Sequence, residues 1–135
     1  MTLHAETETP GKLRHVIRID GHTLHTDVST ALGGEGSAPG PHELFDASLA
    51  ACKALTAFVY ARSRKIPLEH VEVELERDDT REREGHYTLG VKLRFGGKDL
   101  SDADKTKLGE VLTRCPVHKL MTTTEIEIKQ TVDLT

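Results

Sequence analysis

Cys52 and Cys115 are the only two thiols in the chain, and their settings differ. Cys52 lies inside "HELFDASLAACKALTAFVYARS", the most apolar helical stretch, while Cys115 opens "CPVHKLM", directly before a proline and shortly before His118. Free cysteine is among the most buried residue types and often acts as a small hydrophobe, which is the plain reading of Cys52. In apolar surroundings its pKa is expected to rise, so a reactive Cys52 needs a cation, with an arginine oriented by a carboxylate as the natural candidate. Cys115 differs because the residue before a proline is pushed out of helical geometry. If Pro116 opens a new helix, Cys115 becomes its cap. Its sulfur is then expected to meet unpaired N–H groups and the positive end of the helix dipole, which favour thiolate. Arg114, His118 and Lys119 add positive charge nearby.

A metal site is the rival chemistry. Cys115 and His118 have a C-x-x-H spacing, and His22 and His25 form a second pair. Residues three apart on a strand face opposite sides, however, and a structural zinc takes four ligands in two tight pairs. No metal is expected. Candidate activators of a thiol are Arg14 and Arg18 near the N-terminus and Glu43 at the start of the apolar helix. Glu43 precedes Cys52 by about two and a half helical turns, which puts the two on opposite faces. Glu43 reaches such a site only if the first turn or the preceding loop folds back. Its alternative role is that of a first-turn acid stabilising the helix dipole.

The elements that must position these residues follow from pattern. "KLRHVIRID" and "HTLHTDVS" flank Asp20-Gly21, a dipeptide that favours a tight hairpin turn. "ALGGEGSAPGP" is a loop by composition. Pro41 then opens a helix to about Arg64, with Leu44, Ala47, Ala51, Ala54, Leu55, Phe58 and Val59 at helical spacing. A helix apolar nearly all round is expected to be buried nearly all round, under sheet on one side and a helix or second subunit on the other. "EHVEVELERDD" and "HYTLGVKLRFGG" alternate and predict an antiparallel hairpin. "SDADKTKLGEVLTRC" predicts a helix capped by Ser101 or Asp102, "PVHKLM" a further short turn, and "TEIEIKQTVDL" a last strand. The order β-β-α-β-β-α-β indicates one α+β domain over residues 1–135.

At 135 residues the chain has the usual size of one domain, and it is long enough to fold without a disulfide or metal. A net charge of −4, from 22 acidic and 18 basic residues with no basic cluster, argues against nucleic acid and anionic membranes as partners. The N-terminal stretch lacks a signal-peptide layout, and no run is expected to cross a membrane. A cytoplasmic location is expected, where a static structural disulfide is unusual.

Three quoted stretches, "GPHELFDASLAACKALT", "ARSRKIPLEHVEVEL" and "RCPVHKLM", resemble the OsmC/Ohr family of thiol-dependent peroxidases, in its broad OsmC-like branch. The likeness runs from about Lys12 to the C-terminus. It implies an OsmC-like fold in which antiparallel sheets wrap two long central helices of an intertwined homodimer. It also implies a cysteine-dependent reduction of organic hydroperoxides, with Cys52 as the peroxidatic thiolate and Cys115 as the resolving thiol. The resulting disulfide would be reduced by a dithiol or lipoyl group, with no cofactor. By the same resemblance Glu43 and Arg14 are the activating pair, although the acid position falls on His42 by count and Lys12, Arg14 and Arg18 all lie near the arginine position. The alternative is a non-enzymatic OsmC-like dimer that senses redox state or binds a small ligand.

Overall fold

The computed structural model describes residues 1–135, which divide into two compact units, Met1–Ala47 and Ser48–Thr135. In the first, strands β1 (Leu3–Thr7), β2 (His15–Ile19) and β3 (His22–Thr26) form an antiparallel sheet in the order β1-β2-β3. Asp20 and Gly21 both take left-handed backbone angles (φ 45° and 84°), as a two-residue hairpin turn requires. The register follows, with Ile17 opposite Leu24 and Val16, the buried apolar residue of this sheet, opposite His25.

Strand β1 was not expected from the sequence. All five of its residues are exposed, so it carries no hydrophobic period, and its ladder to β2 holds it in place. Ion pairs of Glu6 with Arg18 and of Glu8 with Arg14 run alongside.

The glycine-rich segment after β3 is a loop, as its composition predicts, but it is tied to a buried carboxylate. Asp27 accepts from the N–H groups of Val28 (2.8 Å), Glu35 (3.2 Å) and Ser37 (3.0 Å), and from the Ser37 hydroxyl (2.7 Å). The loop closes tightly over this group. A Cβ at Gly34 would fall 2.3 Å from the Val28 carbonyl oxygen and 2.6 Å from Asp27 Oδ1, so only glycine fits there.

Helix α1 (Pro41–Ser63) begins with proline, as predicted, and continues into the second unit. There β4 (His70–Asp78) and β5 (Thr88–Gly96) form the expected hairpin. Val71, Val73 and Leu75 stand opposite Phe95, Leu93 and Val91 on the inner face. On the outer face Arg94 bridges Glu72 and Glu74 at 3.2 and 3.6 Å. Helix α2 (Asp102–Val111) starts on Ser101 with a reciprocal capping box to Asp104. A 3-10 turn, Leu112–Arg114, follows and leads through Cys115 into α3 (Pro116–Thr122). Leu49, Ala57, Ala61, Leu108, Leu112 and Cys115 form the buried set of this unit.

Three expectations are corrected. The buried positions of α1 are Asp46, Leu49, Lys53, Ala57 and Ala61, while Leu55 and Val59 are 68% and 69% exposed. The apolar stripe read from sequence therefore faces outward in the single chain. Second, residues after Thr123 form no strand. An alternating segment becomes a strand only when a neighbour pairs with its backbone, and here Ile126, Ile128, Val132 and Leu134 stay exposed. Third, α1 is long and apolar enough to cross a membrane by length and composition. Asp46 and Lys53 on this helix are buried within the chain.

Candidate active site

The site is assembled in the second unit from α1 and from the corner between α2 and α3. Cys115 has extended backbone angles (φ −64°, ψ 153°) and occupies the cap position of α3, with Pro116 as the first helical residue. The sequence anticipates this corner. The destination of the helix-end N–H is different: Cys115 makes no capping bond, and the N–H of Val117 points at the other cysteine, reaching Cys52 Sγ at 3.4 Å. One turn along α1, the Thr56 hydroxyl lies 3.7 Å from the same sulfur. Both cysteines are free thiols, with Cys52 partly exposed and Cys115 1% exposed.

Lys53, which sequence reasoning passed over, completes the group. Its ammonium is buried (4% exposed) and donates to the Leu112 carbonyl at 2.6 Å, to His118 Nδ1 at 3.0 Å and to Cys115 Sγ at 3.8 Å. An ammonium has three donors and no acceptor, so these three partners use all of them. Because an ammonium can only donate, His118 faces it through an unprotonated Nδ1. Burial, and then the Lys53 charge, hold the His118 pKa below its ordinary value.

Burial pushes the Cys52 thiol up. The Val117 N–H, the Thr56 hydroxyl, the Cys115 thiol and the Lys53 charge outweigh it and leave the Cys52 pKa below that of a free thiol. Hydrogen bonds to its charged form and the Lys53 charge thus acidify Cys52 within an apolar helix.

The other candidates lie in the first unit. Arg14 donates to Glu8 at 2.8 Å and to the Ser37 hydroxyl and carbonyl at 2.8 and 3.2 Å. Arg18 pairs with Glu6. Glu43 occupies the first turn of α1, its carboxylate lying over Gly40, where a Cβ would come within 2.9 Å of Oε2. His42 sits beside it and is exposed. His25 faces Glu8 at 3.2 Å, and no group of three or more His, Cys, Asp or Glu side chains gathers to hold a metal.

The chain is an α+β protein with antiparallel sheets and two free thiols, one on α1 and one at the corner between α2 and α3. The match to a family model is specific. Residues 34–131 fit the OsmC-like protein family, and the chain belongs to it. Solved structures agree in fold. An organic hydroperoxide resistance protein OsmC from Legionella pneumophila, described as a predicted redox protein, shares 28% identity at a TM-score of 0.63, covering 90% of this chain and 88% of that one. The organic hydroperoxide resistance protein OhrB of Bacillus subtilis shares 21% at 0.60, covering 90% of each chain. An OsmC-like protein from Mycoplasma pneumoniae shares 16% at 0.70, covering 90% of this chain and 86% of that one. A comparison with curated proteins finds no match.

Proposed function

We propose that the protein reduces organic hydroperoxides with Cys52 as nucleophile and Cys115 as resolving thiol. The observation that carries the reading is that the helix capped by the buried Cys115 donates its Val117 N–H to the sulfur of the partly exposed Cys52. The accessible sulfur meets the peroxide, and the buried one can react only with its neighbour. Cys52 thiolate attacks the terminal oxygen of ROOH, the O–O bond breaks, and RO⁻ leaves and is protonated to ROH, giving Cys52 sulfenic acid. Cys115 sulfur then displaces hydroxide from that sulfenic sulfur, forming the Cys52–Cys115 disulfide and, with the Cys115 proton, water. A dithiol, free or lipoyl, reduces the disulfide to two thiols and is itself oxidised.

In this reading Arg14 and Glu43 serve as activating guanidinium and orienting carboxylate, and no cofactor takes part. The cycle needs free thiols, which fits a reducing compartment such as the cytoplasm. The working form is a homodimer. The outward-facing Leu55 and Val59 and the unpaired apolar alternation of Ile126 and Ile128 support this, since such surface is normally covered. Neither nucleic acid nor membrane is a partner.

Intact mass and free-thiol count before and after one equivalent of tert-butyl hydroperoxide test the reading. Loss of both thiols to one internal disulfide, faster than with hydrogen peroxide and absent in Cys52→Ser, is the expected result. Survival of both thiols would reject it and favour a ligand-binding or sensing dimer. Loss of rate in Arg14→Ala and Glu43→Ala is expected on the same assay, and unchanged rates would remove those two residues from the mechanism.

A further inference from the structure

The ammonium of Lys53 is buried, and no carboxylate is among its partners. A buried charge without a counter-charge is strongly unfavourable. The titratable groups facing it are Cys52 on α1, Cys115 at the corner and His118 on α3, while the segment leaving α2 presents only the Leu112 carbonyl. His118 faces it as a neutral acceptor, so the thiol pair alone can supply a negative charge. Lys53 donates to Cys115 Sγ at 3.8 Å, and its charge also favours the thiolate form of Cys52.

We propose that Lys53 is a positioning residue that acts through the cysteines: its ammonium holds the reduced pair as a single shared thiolate, and its proton is released when the pair closes to a disulfide. The inference deepens the reading above and rests on it only in taking Cys52 and Cys115 as a disulfide-forming pair. The balance is complete. Cys52–S⁻, Cys115–SH, Lys53–NH₃⁺ and ROOH give the disulfide, Lys53–NH₂, ROH and water. The site is neutral before and after, so neither redox state leaves an unpaired charge buried. His118 Nδ1, 3.0 Å from the amine, is the acceptor through which the proton departs.

The test is the equilibrium of the full-length protein with oxidised and reduced dithiothreitol as a function of pH, with the thiolate followed by its ultraviolet absorbance. No peroxide is involved, so a protein inactive toward peroxides would defeat the proposed function and leave this measurement able to decide. Within the range where Cys52 is ionised and dithiothreitol is not, lysine proton release makes the exchange proton-neutral, and the constant stays flat. A lysine that keeps its proton makes oxidation consume one proton, and the constant falls about tenfold per pH unit. A flat wild-type profile is expected, and a tenfold slope overturns the proposal, as does failure to form the disulfide in excess oxidised dithiothreitol.

Two variants sharpen it. Lys53→Met is expected to move the thiolate transition to higher pH, and an unmoved transition counts against the proposal. Lys53→Arg retains a cation that does not ionise, so it should restore the thiolate yet show the tenfold slope. If either variant fails to fold, the wild-type profile still decides.

Discussion

Val117 donates its backbone N–H to the sulfur of Cys52 over 3.4 Å, although 65 positions separate them in the chain. That N–H is one of the donors a helix start leaves without an internal partner, and the helix that supplies it is capped by Cys115. One corner therefore places the second thiol and acidifies the first. The chemistry of Cys52 depends on this corner as well as on the helix that carries it.

Thr56→Val removes one donor to the Cys52 sulfur while keeping the side-chain shape. Hydrogen bonds to charged groups contribute about 1.5–3 kcal/mol, and the 3.7 Å separation places this one at the weak end. Since one pKa unit is about 1.4 kcal/mol, the thiolate fraction at neutral pH should fall by about tenfold. Iodoacetamide alkylation of Cys52, followed across pH, reads this directly. An unchanged profile would show that the hydroxyl does not bond the thiolate.

The lowered Cys52 pKa also sets a pH dependence of stability. A group whose folded pKa is depressed binds fewer protons in the folded state between the two pKa values. Its contribution is present above the unfolded thiol value, about 8.5, and is lost as pH falls through the folded value. The stability gap between reduced wild type and Cys52→Ser should widen from neutral pH toward about pH 9. Urea melts in reductant at several pH values measure it, and a gap that narrows would reverse the assigned shift.

Much of this architecture was legible because local rules carried it. Asp20-Gly21 announced its turn, Ser101 its cap, Pro116 its helix start, and the alternation of β4 and β5 their shared face. Lys53 was hidden by its type, since a lysine in a helix normally extends to water and only the α2–α3 corner shows that this one does not. β1 was hidden because an exposed edge strand has no hydrophobic signature. The outward stripe of α1 and the C-terminal alternation were read correctly as apolar, but nothing within the single chain covers them.

Asp27 organises the glycine-rich loop as four donors converge on its carboxylate. The Ser37 hydroxyl and N–H, then the Val28 and Glu35 N–H groups, hold its pKa well below the usual carboxylate range against the opposing effect of burial. Its stabilisation is present above the unfolded value near 4 and is lost only as strongly acidic pH protonates it. Asp27→Asn should loosen the loop at neutral pH, seen as faster proteolytic cutting between residues 28 and 40. The difference from wild type should shrink in strong acid. Gly34→Ala, whose Cβ meets backbone at 2.3 Å, should loosen the same loop at every pH.

The last prediction concerns the outward face of α1. Leu55 and Val59 are one helical turn apart and largely exposed, while two charged residues of the same helix, Asp46 and Lys53, are buried. An exposed apolar helix face is a surface that a second copy of the same helix can match. In a two-fold dimer each substitution counts twice. Burying a Leu or Val side chain contributes about 1.5–3 kcal/mol, so Leu55→Glu and Val59→Glu should each weaken dimerisation by roughly a hundredfold or more. Sedimentation velocity across protein concentration checks the result. A monomeric wild type would refute the dimer outright, and a dimer unaffected by both substitutions would move its interface off this face. Because Cys52 and Lys53 lie on the same helix within a turn of Leu55, thiol alkylation of the dissociated variants then reads whether the pair keeps its acidity without the partner. The lysine, Val117 and Thr56 contacts all lie within one chain, so the alkylation profile is expected to persist.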